Sequence, residues 1–524
     1  MKVHLMYNDR DLDLEQEISA TYSLLMADLD FDNVINTMSN GDDLIKSACK
    51  TVLSNPLKEI SQIKYRQQIQ QDVINNKELI KDLYKICKET GDEVRYSRYT
   101  LTSEWLSSIF SGAVGLITIY IKRFGEIRKI ADKNIKKFNS QGFLQLLKMV
   151  QENFPDSYIS QVQRTLADMN EGEGTLISAK FGSFLQGTSY TYRKNKNEKL
   201  NPKMKFAPSY TLPEMDSVSA EDLCYRCDKA KNETADILAK TAENFQNFFN
   251  TLKNELAFYV GCINLYEKIN SINMPLCQPD FTGTAQNKDT TTSKDKDTVS
   301  AAAHNKDTAP DTATATDSHT RKWQGLYDLS LALLKNEKVT GNDNIIKEKK
   351  LCIITGANQG GKTTFLKSIG QAQLMAQCGM LVAAENFTAP VKNNIYTHFK
   401  KEEDTNMNSG KLDEEMSRMD KIVTAIKPGD MILSNESFSS TNEREGSQIF
   451  TQITNALMEE NVEIFAVTHM CEYANSFTGN KNVEYLKAEH TEAGALTYKM
   501  KPAMPSTTAF GEEIYRKVFG PAYP

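Results

Sequence analysis

Eight consecutive residues, Gly356-Ala357-Asn358-Gln359-Gly360-Gly361-Lys362-Thr363, follow the spacing G-x-x-x-x-G-K-[ST]. Residues of these types at this spacing bind phosphate. Glycines let backbone N–H groups turn inward around phosphate oxygens, the lysine neutralises the β- and γ-phosphates, and the hydroxyl ligates Mg²⁺. Lys362 and Thr363 hold the last two positions, and Thr364 opens an expected helix whose positive N-terminal end adds to the attraction. ATP and Mg²⁺ are the ligands this chemistry calls for. Two further groups complete a hydrolytic site. In Leu433-Ser434-Asn435-Glu436, Glu436 stands where a carboxylate polarises the attacking water, and Asn435 stands where an Asp normally holds the metal shell. The amide keeps an oxygen for the metal but lacks the charge that attracts a hard cation. In Val467-Thr468-His469, His469 is a candidate to donate a hydrogen bond to the γ-phosphate and so report which nucleotide is bound.

These groups need a scaffold that brings them together. Leu351–Ile354, Asp430–Leu433 and Glu463–Val467 read as short apolar strands separated by helical stretches, the pattern of a mostly parallel sheet covered on both faces. Ligands of such sheets bind at the carboxyl ends of the strands, where all three motifs fall. The preceding half is different. From about Glu15 to Met274 it reads as helical, with apolar residues of Gln68–Lys88 spaced three to four apart at Ile69, Val73, Leu79, Leu83, Tyr84 and Ile86. A hairpin is expected where Thr175–Phe184 and Ser189–Arg193 flank Gln186-Gly187-Thr188. Pro279–Lys322 is rich in Thr, Asp, Lys and Ala and repeats Asn-Lys-Asp-Thr; with little to bury, it is expected to be disordered. The expected organisation is a helical region over 1–278, the disordered insertion over 279–322 and an α/β domain over 323–524.

Of 524 residues, 40% are hydrophobic and 25% charged, with a net charge of −6, which suits a globular protein and offers no basic field over the whole chain. Trp105–Ile121 carries no charge, but its serines and glycines and the charges from Lys122 onward favour a buried core helix over a membrane span. Nine scattered cysteines and no signal peptide point to the cytoplasm. Cys224-x-x-Cys227 has no second pair beside it and reads as incidental rather than as a metal site.

The motifs resemble those of the MutS family of DNA mismatch-repair proteins, a branch of the ABC-type ATPases. Gly356–Thr364 is similar to the family's GPNMGGKST loop, and Leu374–Gly379 with Val382–Ala384 to its LMAxxGxxVPA stretch. Asn435-Glu436 with Ser440-Thr441 resembles DEIGRGTST, Thr468-His469 resembles ATH, and Ala509-Phe510-Gly511 resembles a late SYG. Asn55-Pro56-Leu57, Ile63 and Arg66-Gln67 resemble the pattern that opens the family's core and lever region. The family's signature loop corresponds to the interval around Ser409-Gly410, where Glu415-Met416 echoes its F-M-x-E-M. The resemblance implies a mainly α-helical core and lever region followed by an α/β P-loop (ABC-type) ATPase domain, in a shortened form without the mismatch-reading domain. It also implies that ATP joins two protomers, Ser409 and Gly410 of one capping the nucleotide of the other, and that this homodimeric clamp acts on DNA in mismatch repair or recombination. Basic runs at Lys122, Arg123, Arg128, Lys129, Lys133, Lys136, Lys137 and at Arg193, Lys194, Lys196, Lys199, Lys203, Lys205 are candidate phosphate contacts, although such runs are more often a solvated face. The alternative is an ABC-type switch acting on a protein or ribonucleoprotein partner.

Overall fold

The structure, a computed structural model, describes residues 1–95, 106–170, 177–193, 216–282, 320–400, 410–490 and 496–505. Chain order begins with α1 (Ala20–Asp28), α2 (Phe31–Ser39), α3 (Asp43–Leu53), α4 (Ile60–Asn75), α5 (Lys77–Arg95), α6 (Leu106–Asn134), α7 (Gln141–Asn153) and α8 (Asp156–Asn170). A hairpin of β1 (Ile177–Phe181) and β2 (Gly187–Tyr192) and the long α9 (Ser217–Ser271) follow. Then come β3 (Asp280–Phe281), β4 (Arg321–Leu326), α10 (Leu329–Lys335), β5 (Asn342–Ile346), β6 (Leu351–Thr355), α11 (Lys362–Gln377), β7 (Asn386–Ala389) and β8 (Ile395–Phe399). The chain continues through α12 (Lys411–Ala425), β9 (Met431–Asn435), α13 (Glu443–Glu459), β10 (Glu463–Val467), α14 (Cys471–Ser476), β11 (Val483–His490) and β12 (Leu496–Pro502).

The chain divides into two compact units, and the division is not the linear one expected from sequence. Residues 1–16, 41–49 and 65–263 form one; residues 17–40, 50–64 and 264–524 form the other. Both ends of the tract expected to be disordered are strands, β3 and β4; its remainder, 283–319, lies outside the described residues.

The first unit is helical. Apart from Trp105, which lies outside the described residues, the uncharged run lies in α6, where Phe110, Val114, Ile117, Tyr120, Ile121 and Phe124 are buried as core. Phe124 stacks on Phe154 with centroids 3.9 Å apart and meets Phe249 of α9 at 4.8 Å. No helix among the described residues is long and apolar enough to cross a membrane. The single helical run expected over Gln68–Lys88 is two helices. It breaks at Asn76, whose side chain donates to the carbonyls of Asp72 and Lys137, a use of the amide that competes with helix continuation. The face of α5 shifts accordingly: Ile80, Leu83, Tyr84 and Cys87 are buried, whereas Leu79 and Ile86 are only half-buried. Glu255 of α9, fully buried, accepts the N–H groups of Leu5 and Leu12 at 2.6 and 2.9 Å and so ties the N-terminal segment down. Burial pushes its carboxyl up to about 8 against those two hydrogen bonds.

The second unit holds a six-stranded sheet in the order β12-β11-β6-β10-β9-β8, parallel except for β12, and a four-stranded sheet in the order β3-β7-β4-β5. The parallel strands alternate with helices, and β6, β8 and β10 are buried along their whole length, as a sheet covered on both faces requires. The α1–α2 turn belongs to this unit. Thr397 of β8 donates to Asp28 at 2.6 Å, and Gln371 of α11 donates to the Leu29 carbonyl at 3.0 Å and to Asp328 at 2.9 Å. A Cβ at Gly370 would come within 2.9 Å of Leu29, so this contact needs a residue without a side chain.

At the amino ends of the strands sits a buried ion cluster. Arg321 of β4, with no exposed surface, donates to both carboxylate oxygens of Glu463 (3.1 and 2.7 Å) and to Gln373 (2.7 Å), and Lys392 stands 3.0 Å from Glu463. Burial pushes the Glu463 carboxyl up, but the two cations outweigh it and bring it down to about 2. Removing one partner of such a cluster strands a buried charge. Arg321→Met is expected to lower stability in urea denaturation by about 3–5 kcal/mol. Because the folded pKa is depressed, this stabilisation is complete above about pH 4.5 and is lost as pH falls toward 2. The variant's acid dependence over that window should be flatter than that of the wild type.

Candidate functional site

Strand pairing builds the site. Ile354 of β6 pairs with Val467 of β10, which pairs with Asn435 of β9, so three parallel strands end level. Backbone bonds continue past the ends: Thr468 N–H donates to the Ile354 carbonyl at 3.1 Å, and Glu436 N–H to the Val467 carbonyl at 2.9 Å. The glycine-rich loop leaves β6 here and enters α11 at Lys362, two residues before the expected start. Gly356 has φ +132°, and a Cβ there would come within 2.7 Å of the Ala488 side chain; Gly361, the N-cap of α11, has φ +84°. Both positions need glycine for the loop to turn as it does.

Within the loop, the buried Lys362 ammonium donates to the carbonyls of Gly356 and Ala357, both at 2.9 Å. Burial lowers its pKa, and the negative charge of Glu436 opposes that shift. Thr363 Oγ1 donates to Asn435 Oδ1 at 2.9 Å, so the two expected metal ligands face one another as a pair of oxygens. Glu436 takes a left-handed backbone conformation, φ +54°, that a non-glycine residue adopts only where surroundings hold it, and its Oε1 lies 3.9 Å from His469 Nδ1.

What holds Glu436 is the turn after it. Phe438, fully buried, stacks against His398 of β8 at 5.5 Å. Burial, with the charge of Arg418, pulls the His398 pKa down to about 4. With the ring neutral, Nε2–H donates to the Glu415 carbonyl (3.1 Å), and Nδ1 lies 2.7 Å from the Ser437 hydroxyl, whose single proton is shared between Nδ1 and the His398 carbonyl at 3.0 Å. Glu415 of α12 accepts from Ser440 at 3.0 Å. Its carboxyl is raised by burial, with the Ser440 bond and the charges of Lys400 and Arg418 working against the rise.

A cavity of about 670 Å³ opens beside the loop. Asn358, Gln359, Gly361, Lys362, Thr363, Thr364 and Glu436 line it together with Leu326, Tyr327, Asp328, Leu331, Asn342 and Tyr498, and Tyr498 stands against Gly361 of the loop. Tyr498, with φ +57°, is fixed through Asn342, which donates to its carbonyl at 3.3 Å and accepts from Met500 N–H at 2.7 Å. Gly356, Ala357 and Gly360 shape the loop without lining the cavity. Sequence reasoning missed Tyr498, Asn342 and Asp328, which come from separate elements and share no spacing. Ser409 lies outside the described residues, as do Ala509-Phe510-Gly511; Gly410 caps α12, is exposed and does not line the cavity. Cys224 and Cys227 are free thiols on α9, and no group of three or more His, Cys, Asp or Glu among the described residues could hold a metal.

The first basic run divides into paired arginines and exposed lysines. Arg123 is paired with Glu89, Glu93 and Glu126, and Arg128 with Asp132, so these two serve the helical unit's own packing. Lys122, Lys129, Lys133, Lys136 and Lys137 remain exposed. In the second run only Arg193 is among the described residues.

Fold and site together define a chain with a helical unit and an α/β unit whose polar site lies at the carboxyl ends of parallel strands. Residues 58–272 match the MutS2 N-terminal domain and residues 352–522 match MutS domain V. The chain belongs to the MutS family. It is 26% identical over 197 residues to MutS protein homolog 4 of Homo sapiens (36% of this chain, 21% of that protein). It is 29% identical over 180 residues to Endonuclease MutS2 of Listeria innocua (33% and 22%) and 28% identical over 156 residues to DNA mismatch repair protein MutS of Thermotoga neapolitana (29% and 20%). The matched part spans about a fifth of each of these relatives.

The Thr363–Asn435 contact generates a test. Asn435→Asp adds a charge beside the Thr363 hydroxyl and should lower the Mg²⁺ concentration for half-maximal nucleotide turnover, by up to about tenfold if the charge is worth about 1.4 kcal/mol. An unchanged or higher requirement would mean that the amide's hydrogen bonding, not its missing charge, governs the position.

Proposed function

We propose that this chain is a Mg²⁺-dependent ATPase of the MutS type that couples ATP binding to the handling of DNA. The observation that carries the reading is the meeting of Lys362, the Thr363–Asn435 pair and Glu436 at the level ends of three parallel strands, beside a cavity large enough for a nucleotide. Lys362 gives up its two carbonyl partners for phosphate oxygens, a stronger charge-assisted contact. The loop N–H groups and the start of α11 supply the remaining donors.

Mg²⁺ fits the Thr363 and Asn435 oxygens, hard neutral donors that leave most of its coordination to phosphate and water. When bound, it neutralises charge developing on the phosphates. Glu436, held in its left-handed turn, orients and deprotonates the attacking water, and His469 beside it contacts the terminal phosphate. Tyr498, beside Gly361 in the cavity, offers a stacking surface for the base. Gly410, exposed at the start of α12, is free to reach a second copy, which supports a homodimer with a shared site.

The DNA reading rests on family membership, together with relatives named for mismatch repair and for endonuclease action. The switch acting on protein or ribonucleoprotein gains no support of its own from the site. Glu436→Gln separates binding from chemistry. It is expected to keep ATP affinity, slow hydrolysis by at least about a hundredfold, and prolong an ATP-dependent dimer in sedimentation. Turnover at the wild-type rate in this variant would remove Glu436 from the mechanism.

A further inference from the structure

A second cavity, of about 540 Å³, opens at the amino ends of the parallel strands, the end of the sheet away from the glycine-rich loop. Four connections wall it: Lys349 and Lys350 before β6, Lys392 before β8, Gly429 before β9 and Val462 before β10. Backbone bonds tie these connections to one another. Gly429 N–H donates to the Asn461 carbonyl and Asn393 N–H to the Gly429 carbonyl, each at 3.2 Å, and Ile464 N–H donates to the Lys350 carbonyl at 2.7 Å. The cavity is therefore formed before anything enters it, as small-molecule sites generally are.

Charge selects the occupant. Three lysines and two carboxylates line the cavity. One carboxylate, Glu463, takes both of its oxygens' bonds from Arg321, so Lys392 can turn to a ligand without leaving Glu463 unpaired. The other, Glu348, is exposed and screened by water. Asp430, buried next to Gly429, accepts from the Asn394 amide and from Lys427 N–H. Lys349 and Lys350 are half-buried, and each donates to a backbone carbonyl, that of Lys481 for the first and of Met458, at 3.0 Å, for the second. An ammonium group has three donors, which leaves each of them capacity for a ligand. Three such point charges around one space suit a phosphate group, with its charge near −2 and acceptor oxygens on several sides. We infer that this cavity is a binding site for a small phosphorylated anion, its phosphate held among Lys349, Lys350 and Lys392. Depth sets the size of the ligand: Lys392 is 7% exposed, out of reach of a polymer backbone lying on the surface but open to a compact anion. The site is separate from the nucleotide loop and does not depend on ATP hydrolysis there.

The test treats the full chain with a lysine-acylating reagent, with and without inorganic pyrophosphate, and reads each lysine by mass spectrometry. Pyrophosphate at about ten times its dissociation constant should slow acylation of Lys349, Lys350 and Lys392 about tenfold. The exposed Lys347 should keep its rate, and Lys362 reports the nucleotide loop separately. Calorimetry then compares Lys362→Ala, which disables that loop, with the same protein also carrying Lys349→Gln and Lys350→Gln. The two added substitutions should weaken pyrophosphate binding about tenfold or more. They should leave the urea midpoint in place, because glutamine can still donate to the two carbonyls. If pyrophosphate leaves the three lysines as reactive as before, the proposal fails, whatever happens at Lys362. Equal affinity in the two calorimetric samples overturns it as well. Protection by citrate as strong as that by pyrophosphate, or protection by a DNA duplex where pyrophosphate gives none, assigns the cavity to another kind of anion and overturns it too.

Discussion

Everything at the site depends on the register of β6, β10 and β9. Parallel pairing sets Ile354, Val467 and Asn435 at one level, and two backbone hydrogen bonds beyond the strands lock Thr468 and Glu436 to their neighbours. A shift of one residue would turn each strand's side chains to the opposite face and pull Asn435 from Thr363. Position is therefore set by the sheet before any side chain is considered. The side chains add the chemistry: a lysine held by two loop carbonyls, a hydroxyl paired with an amide, and a carboxylate in a left-handed turn.

The register is supported from both ends of the strands. At the amino ends, Arg321 joins β4 to β10 through Glu463 and to α11 through Gln373, a cluster that fixes which elements lie side by side. At the carboxyl ends, the turn after β9 is wedged by Phe438 and by the neutral His398, whose ring bridges Ser437 and α12. Because α12 opens at Gly410, the segment expected to meet a second protomer and the turn after Glu436 are linked by the buried contacts of His398 with Glu415 and Ser437 and by the half-buried Ser440–Glu415 bond. Such contacts have few alternatives inside a protein, so a displacement of α12 would be felt at Glu436.

The glycine-rich loop, the parallel strands and the hairpin were legible in the sequence because each is local. A strand, a glycine loop and a helix in succession need no partner to be recognised, and alternating or unbroken apolar runs declare how a strand is buried. The boundary between units was not legible. Residues 17–40 read simply as helix, yet Leu29 packs against Gly370 and Asp28 accepts from Thr397, more than 300 residues away. The break at Asn76 was hidden for a similar reason: the apolar spacing runs on through it, and the amide's bond to the Lys137 carbonyl comes from tertiary structure. Tyr498 and Asn342 enter the cavity only because β12 and β5 meet there. In the basic run from Lys122 to Lys137 the sequence could not separate the exposed lysines from Arg123, whose three glutamate partners come partly from another helix.

The account turns on whether the loop that begins at Gly356 holds a triphosphate through Lys362. Calorimetric titration of the full chain with ATP in the presence of Mg²⁺, set beside the same titration of Lys362→Ala, addresses this without relying on turnover. The account predicts one nucleotide per chain for the wild type. It predicts an affinity lower by about ten- to a hundredfold in the variant, the worth of one charge-assisted hydrogen-bonding group. Equal ATP affinity in the two proteins, or no binding by the wild type, would contradict it.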